Sequence, residues 1–267
     1  MRTFDSLGKK KAVLGMLHLG TMPGTPFYED GSYEATFERA MRDARALYEG
    51  GASGCLVQTV DRAYPAGDEA DYARVVGVAH IVRAIAQMTG PEFQIGVQIM
   101  WNALKASLAV AQVSGGSFLR CTALIGATMS PAGLVQANPH DFLRYRKHIG
   151  AQNIKLVAEV DGMHFHWHGG DKTTPEVARM ARSNGAHAVE VANPDEETAL
   201  RLIHDIKKAM PEMPVILGGH TNHGNAARLL AKADGAFVGS CFEEGGWAGP
   251  ISKEKVQAYV EIVNGLS

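Results

Sequence analysis

The chain of 267 residues is 46% hydrophobic and 20% charged, enough apolar material for one large core, and its formal net charge of −2 offers no basic field for nucleic acid or an anionic membrane surface. Three cysteines, Cys55, Cys121 and Cys241, are odd in number and far apart, which argues against a disulfide framework or a cysteine metal site and fits a reducing cytoplasm. No apolar run approaches the ~18 residues of a membrane span, and Met1 to Lys11 is polar and basic rather than a signal core, so a cytoplasmic protein without membrane insertion is expected.

From Ala12 onward, short apolar runs alternate with longer amphipathic segments, the pattern of parallel βα units. Strands are predicted at Val13 to Leu17, Cys55 to Thr59, Gln94 to Ile99, Phe118 to Cys121, Ile154 to Glu159, Ala188 to Val191, Val215 to Leu217 and Ala236 to Val238. Helices are predicted between them at Tyr33 to Tyr48, Ala70 to Met88, Leu104 to Val113, Pro139 to Ile149, Pro175 to Ser183, Glu196 to Met210, Gly224 to Ala231 and Ser252 to Asn264. Two of these open on proline, which suits a first helical turn. Eight repeats in a chain of this length predict a TIM (β/α)8 barrel as one domain over residues 1–267, since such barrels need about 250 residues. Three strand-to-helix connections are long, Gly20 to Gly31, Thr122 to Asn138 and Val160 to Thr174, and long loops on one face usually carry function.

Alternation along the strands selects the residues that face the barrel axis. In Ile154-Lys-Leu-Val-Ala-Glu-Val-Asp161 the polar residues Lys155, Glu159 and Asp161 share one parity and Ile154, Leu156, Ala158 and Val160 share the other, so the polar set is expected inside. The same reasoning directs His18, Gln58, Gln98, Asn102, Arg120 and Glu190 to the mouth formed by the C-terminal strand ends. A histidine, carboxylates, amides and an arginine are the inventory of acid/base catalysis with anion binding, although Arg120 with Glu159 or Glu190 also fits an internal salt bridge. Glu159 or Asp161 is a candidate base, His18 a candidate acid or shuttle, and Arg120 a candidate oxyanion ligand.

Two further stretches bear on ligands. Pro214-Val-Ile-Leu-Gly-Gly219 and Ala233-Asp-Gly-Ala-Phe-Val-Gly-Ser240 end consecutive strands in glycine turns, where Gly218, Gly219, Gly239 and Ser240 are candidates to hold a phosphate or carboxylate through backbone N–H groups. In Asp161-Gly-Met-His-Phe-His-Trp-His168 the alternating His164, His166 and His168 would point one way in an extended segment, a candidate site for a divalent metal, the one cofactor left open. A polar loop with solvated histidines is the alternative.

Several segments together resemble the BtpA family of photosystem I biogenesis-type proteins: Val13-Leu-Gly-Met-Leu-His-Leu-Gly-Thr-Met-Pro-Gly-Thr-Pro26, Gly50-Gly-Ala-Ser-Gly54, Asn102-Ala-Leu-Lys-Ala106, Ser117-Phe-Leu-Arg120 and the two glycine-turn strands. The resemblance implies a TIM barrel and covers nearly the whole chain. It carries His18, Pro23, Gly24, Asp61, Asn102 and Arg120 over as matching positions, which adds Asp61 to the catalytic candidates. The chain departs from the family pattern at Gln58-Thr59, Met163, Glu190, Gly219-His220 and Glu243, exchanges that remove positive charge from the rim and add carboxylate.

The resulting expectation is an isomerase- or lyase-type enzyme, assembled as a homo-oligomer, acting on a small polar metabolite, phosphorylated or not. In it His18, Glu159, Asp161, Asp61 and Glu190 handle protons while Asn102, Arg120, Gln58, Gln98 and the glycine turns bind substrate. Two alternatives stand beside it: a metal-dependent hydrolase using the histidine loop, and a non-catalytic assembly factor of the kind the family name implies.

Overall fold

The computed structural model describes residues 2–266. Its strands in chain order are β1 (Ala12–Leu19), β2 (Gly54–Thr59), β3 (Gln94–Gln98), β4 (Phe118–Cys121), β5 (Ala127–Ser130), β6 (Gly133–Gln136), β7 (Lys155–Asp161), β8 (Ala188–Val191), β9 (Val215–Leu217) and β10 (Gly235–Val238). The helices are α1 (Ser32–Glu49), α2 (Tyr72–Met88), α3 (Leu104–Ser114), α4 (Pro139–His148), α5 (Thr174–Ser183), α6 (Glu196–Ala209), α7 (Ala226–Leu230) and α8 (Lys253–Asn264). Eight strands close a parallel barrel in the order β1-β2-β3-β4-β7-β8-β9-β10, with β10 returning to β1. The expected TIM barrel is the observed fold, and none of its helices is long and apolar enough to cross a membrane, among the described residues.

Three features differ from the expectation. The long connection after β4 contains an antiparallel hairpin, β5 with β6, in which Met129 and Leu134 are exposed. Each of its strands has only four residues, too few for alternation to register in the sequence. Helix α2 begins at Tyr72 rather than Ala70 because the Asp71 carboxylate accepts the Ala73 N–H and caps it. Helix α7 shrinks to Ala226–Leu230, since Asn222 and Asn225 form side-chain turns with the backbone of Gly224 and Asn222 that hold the preceding segment out of the helix.

Alternate strand residues divide the core in two. Outward-facing Val13, Cys55, Ile95, Leu119, Leu156 and Val189 pack under the helices, while inward-facing Leu14, Leu56, Phe118, Val157, Ile216 and Phe237 fill the lower barrel. Burying each of the larger side chains is worth about 1.5–3 kcal/mol relative to exposure. Gly96 makes room for Phe118, because a Cβ there would lie 2.2 Å from the ring. The N-terminal segment closes the bottom: Phe4 meets Phe118 with ring centroids 5.4 Å apart, and the buried Arg2 donates to the carbonyls of Phe93, Ala86 and Thr89.

Candidate active site

Above the aromatic floor the inward residues become polar. Gln58, Gln98, Arg120, Glu159 and Glu190 are all buried, with His18 half-buried beside them. Arg120 organises the layer: its Nε donates to Glu190 Oε2 at 2.6 Å and its Nη2 to Glu190 Oε1, a bidentate pair. Glu159 Oε1 lies 3.5 Å from the same Nε, Gln58 Oε1 accepts from Nη1 at 3.5 Å, and the guanidinium sits 5.1 Å over the Phe237 ring. Gln98 donates to Thr122 Oγ1 at 3.0 Å and reaches Glu159 Oε1 at 3.5 Å. Buried charges are tolerated when paired and hydrogen-bonded, and here each has a partner on another strand.

Two carboxylates share one guanidinium, so they cannot ionise alike. Burial opposes ionisation of Glu159, but the Arg120 charge and the hydrogen bonds from His164 outweigh it and hold this carboxyl down at about 2. Glu190 is pushed up to about 7, by burial first and then by the nearby Glu159 charge, which together exceed the pull of Arg120. The values belong to the pair: the first proton leaves easily and the second is retained towards neutral pH. Burial also works against the charge on Arg120, yet the two carboxylates raise its pKa and keep it ionised.

The histidine segment does not converge on a metal. His164 turns inward, its backbone N–H donating to Glu159 Oε2 at 2.9 Å and its Nδ1 lying 2.9 Å from Glu159 Oε1, with the ring edge-on to Trp101. His166 pairs instead with Asp161 on the outer side, Nδ1 to Oδ1 at 3.0 Å, and the exposed His168 donates its backbone N–H to Ala127. No group of three or more His, Cys, Asp or Glu side chains is placed to hold a metal among the described residues. The segment is not an extended strand; the chain turns at Gly162, whose N–H bonds the Phe165 carbonyl, and that turn breaks the expected alternation.

The same turn displaces Asp161. The pairing of β7 with β8 shifts register between Glu159 and Asp161, and the Asp161 carboxylate accepts from Thr174 Oγ1 at the start of α5 rather than entering the mouth. Asn102 is likewise occupied: its Nδ2 donates to the Ala123 carbonyl and its Oδ1 accepts the Ala123 N–H, tying two loops together. Asp61 accepts the Arg62 N–H and does not line the mouth.

The mouth is a cavity of about 610 Å3 whose walls include His18, Gln58, Arg120, His164, His220 and Trp247, with Arg120 its only lysine or arginine. Gly219, Gly239 and Ser240 line it as expected, but the Gly218 N–H is spent on the Val191 carbonyl at 2.8 Å. Gly218 serves packing instead, because a Cβ would lie 2.0 Å from Glu190 Oε1. The sequence marks Glu243 only as a rim carboxylate and gives no sign of Trp247. Glu243 is buried, accepts the Ala248 N–H and brings Oε1 within 3.9 Å of His18 Nδ1; Trp247 stands 5.9 Å from the His18 ring, centroid to centroid. Only the short 3-10 turn Ser240–Phe242 folds this segment back over β1, and a three-residue turn leaves no periodic signal. Burial raises the thiols of Cys55 and Cys121, and that of Cys241 to about 11, which leaves none activated as a nucleophile.

A closed (β/α)8 barrel with a buried charge network beneath a ligand-sized mouth defines a TIM-barrel protein. Its sequence matches the profile of the BtpA family over residues 9–265, and the chain belongs to that family. Among relatives, it is 27% identical to a protein of Archaeoglobus fulgidus over 96% of this chain and 100% of the other, and 28% identical to a mitochondrial protein of Caenorhabditis elegans over 95% and 93%. The photosystem I biogenesis protein BtpA of Synechocystis is 26% identical over 98% of this chain and 91% of its own. Solved structures with the same fold include tryptophan synthase from M. tuberculosis, at a TM-score of 0.62 and 18% identity over 97% of this chain and 96% of that one. Phosphoribosylanthranilate isomerase from Pyrococcus furiosus scores 0.53 at 14% identity, over 95% and 99%. These identities establish the fold and leave the reaction to the site.

Proposed function

We propose that this protein is an enzyme that moves protons on a small polar metabolite, in an isomerase- or lyase-type reaction. The observation that supports this best is the pair of histidines on the cavity wall, His164 hydrogen-bonded to Glu159, and His18 with Glu243 Oε1 3.9 Å from an Nδ1 that makes no hydrogen bond among the described residues. They arise from β7 and β1, four strands apart in a ring of eight, and so from opposite sides of the barrel. A ligand between them meets an acid/base group on each side. With Glu159 accepting the Nδ1 proton, His164 keeps Nε2 for the ligand and takes a proton from it as base; His18 donates its own proton from the opposite side, and exchange with solvent restores both rings. Arg120, neutralised from below by Glu190, orients a substrate oxygen through its edge in the cavity. Glu159, Glu190 and Gln98 are therefore positioning residues, and Asp61, Asp161 and Asn102 take no part.

This assignment is tested by screening free sugars, sugar acids and their phosphate esters for thermal stabilisation, then assaying turnover of the stabilising compounds with His164→Ala. General acid/base groups contribute about 10²–10⁴ in rate, so kcat should fall by that factor while the ligand still stabilises the variant. Unchanged turnover would sink the role of His164. A second reading, a non-catalytic assembly factor, draws on the name of the Synechocystis relative. It expects no compound to raise the melting temperature at saturation. A homo-oligomer in the cytoplasm completes the proposal, with light scattering and fractionation as its checks.

A further inference from the structure

The molecule buries three arginines, and they are satisfied very differently. Arg2 spends its donors on backbone carbonyls and Arg120 on two carboxylates. Arg74, in the first turn of α2 and 2% exposed, has one long contact, Nη2 to the Glu69 carbonyl at 3.4 Å, and its Nε has no hydrogen-bond partner among the described residues. The Tyr64 ring covers one face of the guanidinium, 5.2 Å from centroid to Cζ, but a ring face takes no in-plane hydrogen bond. Tyr64 is itself buried, and its hydroxyl, close to the Thr59 side chain, makes no hydrogen bond of good geometry.

Both unsatisfied groups line one cavity of about 320 Å3, formed with Gly24, Pro26 and Asp71 from the loops that follow β1 and β2. The neighbouring carboxylates of Asp71 and Asp61 favour the charge on Arg74 but make no hydrogen bond to it among the described residues, and Asp61 Oδ2 is buried without a partner of its own. Asp71 Oδ1 caps α2 by accepting the Ala73 N–H and packs so tightly on Gly24 that a Cβ there would lie 2.1 Å away; Asp61 Oδ1 accepts the Arg62 N–H. Burial lowers the pKa of Arg74 and raises that of Tyr64, outweighing the pull of Asp71 and Asp61 on the first and of the Thr59 side chain on the second. A buried cation without a hydrogen-bonded counter-ion is costly to keep, and the edge of a guanidinium matches two oxygens of a carboxylate or phosphate. The start of α2 favours negative charge at the same place.

We propose that this cavity binds a small oxyanion, a carboxylate or phosphate group, held by the free edge of Arg74 and the hydroxyl of Tyr64. It shares no wall residue with the barrel mouth, so it stands or falls apart from the proton-transfer reading. The experiment is calorimetric titration and thermal unfolding of the full chain with malonate and with inorganic phosphate, at constant ionic strength in chloride, for the wild type, Arg74→Met and Tyr64→Phe. One of the two anions should bind the wild type and raise its melting temperature, and which one does so names the group. Arg74→Met should weaken that binding at least tenfold and Tyr64→Phe several-fold. Without anion, Arg74→Met should unfold at the wild-type temperature or above, because it removes an unpaired buried charge. Binding by neither anion, or undiminished binding by both variants, overturns the proposal; so does an Arg74→Met protein that fails to fold or melts well below the wild type, since Arg74 would then be structural.

Discussion

The lower and upper halves of the barrel interior follow the same alternation along the same strands and are filled with opposite chemistry. Below, Leu14, Leu56, Phe118, Val157, Ile216 and Phe237 pack as an ordinary hydrocarbon core; one step higher on three of those strands stand Gln58, Arg120 and Glu159. The lower half demonstrates that these strands can be filled with apolar side chains. A buried ion network gains little stability over such a filling, so folding alone does not account for the upper layer. Its upper surface opens into the mouth cavity, which is where a retained charge network can act.

The contrast can be broken in order of effect. Glu190→Ala leaves Arg120 buried without its bidentate partner and should cost about 3–5 kcal/mol in urea denaturation. Converting the upper layer into a copy of the lower, with Arg120→Met, Glu159→Leu and Glu190→Leu together, should instead be neutral or stabilise by about 1–4 kcal/mol while abolishing ligand-induced thermal shifts. A triple variant as unstable as Glu190→Ala would mean that the charges hold the barrel together. Gly218→Ala drives a methyl into Glu190 Oε1 and should cost about 1–3 kcal/mol by calorimetry, whereas a spare anion-binding glycine would tolerate it.

The smallest effect is the dependence on pH. Glu159, held at about 2 against an ordinary 4.5, contributes stability that is present above pH 4.5 and lost as the pH falls towards 2. Glu190, pushed up to about 7, has the opposite sign: its contribution is present below pH 4.5 and lost as the pH rises through 7. His187, held down at about 4 chiefly by burial, adds a loss on acidification from 6.5 to 4 that the wild type and a Glu190→Gln variant share. The difference in melting temperature between those two proteins should therefore change between pH 4.5 and 7 and stay flat above. A constant difference would show that Glu190 keeps an ordinary pKa.

The barrel was legible because eight apolar runs, spaced by helices and closed by glycine, admit few other folds, and strand parity correctly brought Arg120, Glu159 and Glu190 together. Parity failed where strands end. Past Glu159 the chain shifts register and turns at Gly162, which sent Asp161 outward and separated three histidines that an extended segment would have aligned. Asn102 was misplaced for a related reason: a loop amide can satisfy a neighbouring backbone as well as a ligand, and spacing does not distinguish them. Glu243 and Trp247 reach the mouth through a short irregular turn. Such placements depend on tertiary contacts, which no local pattern encodes.

The central claim is that His164 and His18 exchange protons with a ligand across the mouth, with Glu159 holding His164 in its working tautomer. Its most direct test is deuterium incorporation from D2O into carbon-bound positions of a stabilising sugar or sugar acid, followed by NMR for the wild type and for folded Glu159→Gln. The proton-transfer account predicts incorporation at a carbon next to a carbonyl by the wild type and a loss of at least a hundredfold in the variant. Equal rates in the two proteins, or stabilisation of the wild type without any exchange, would contradict it.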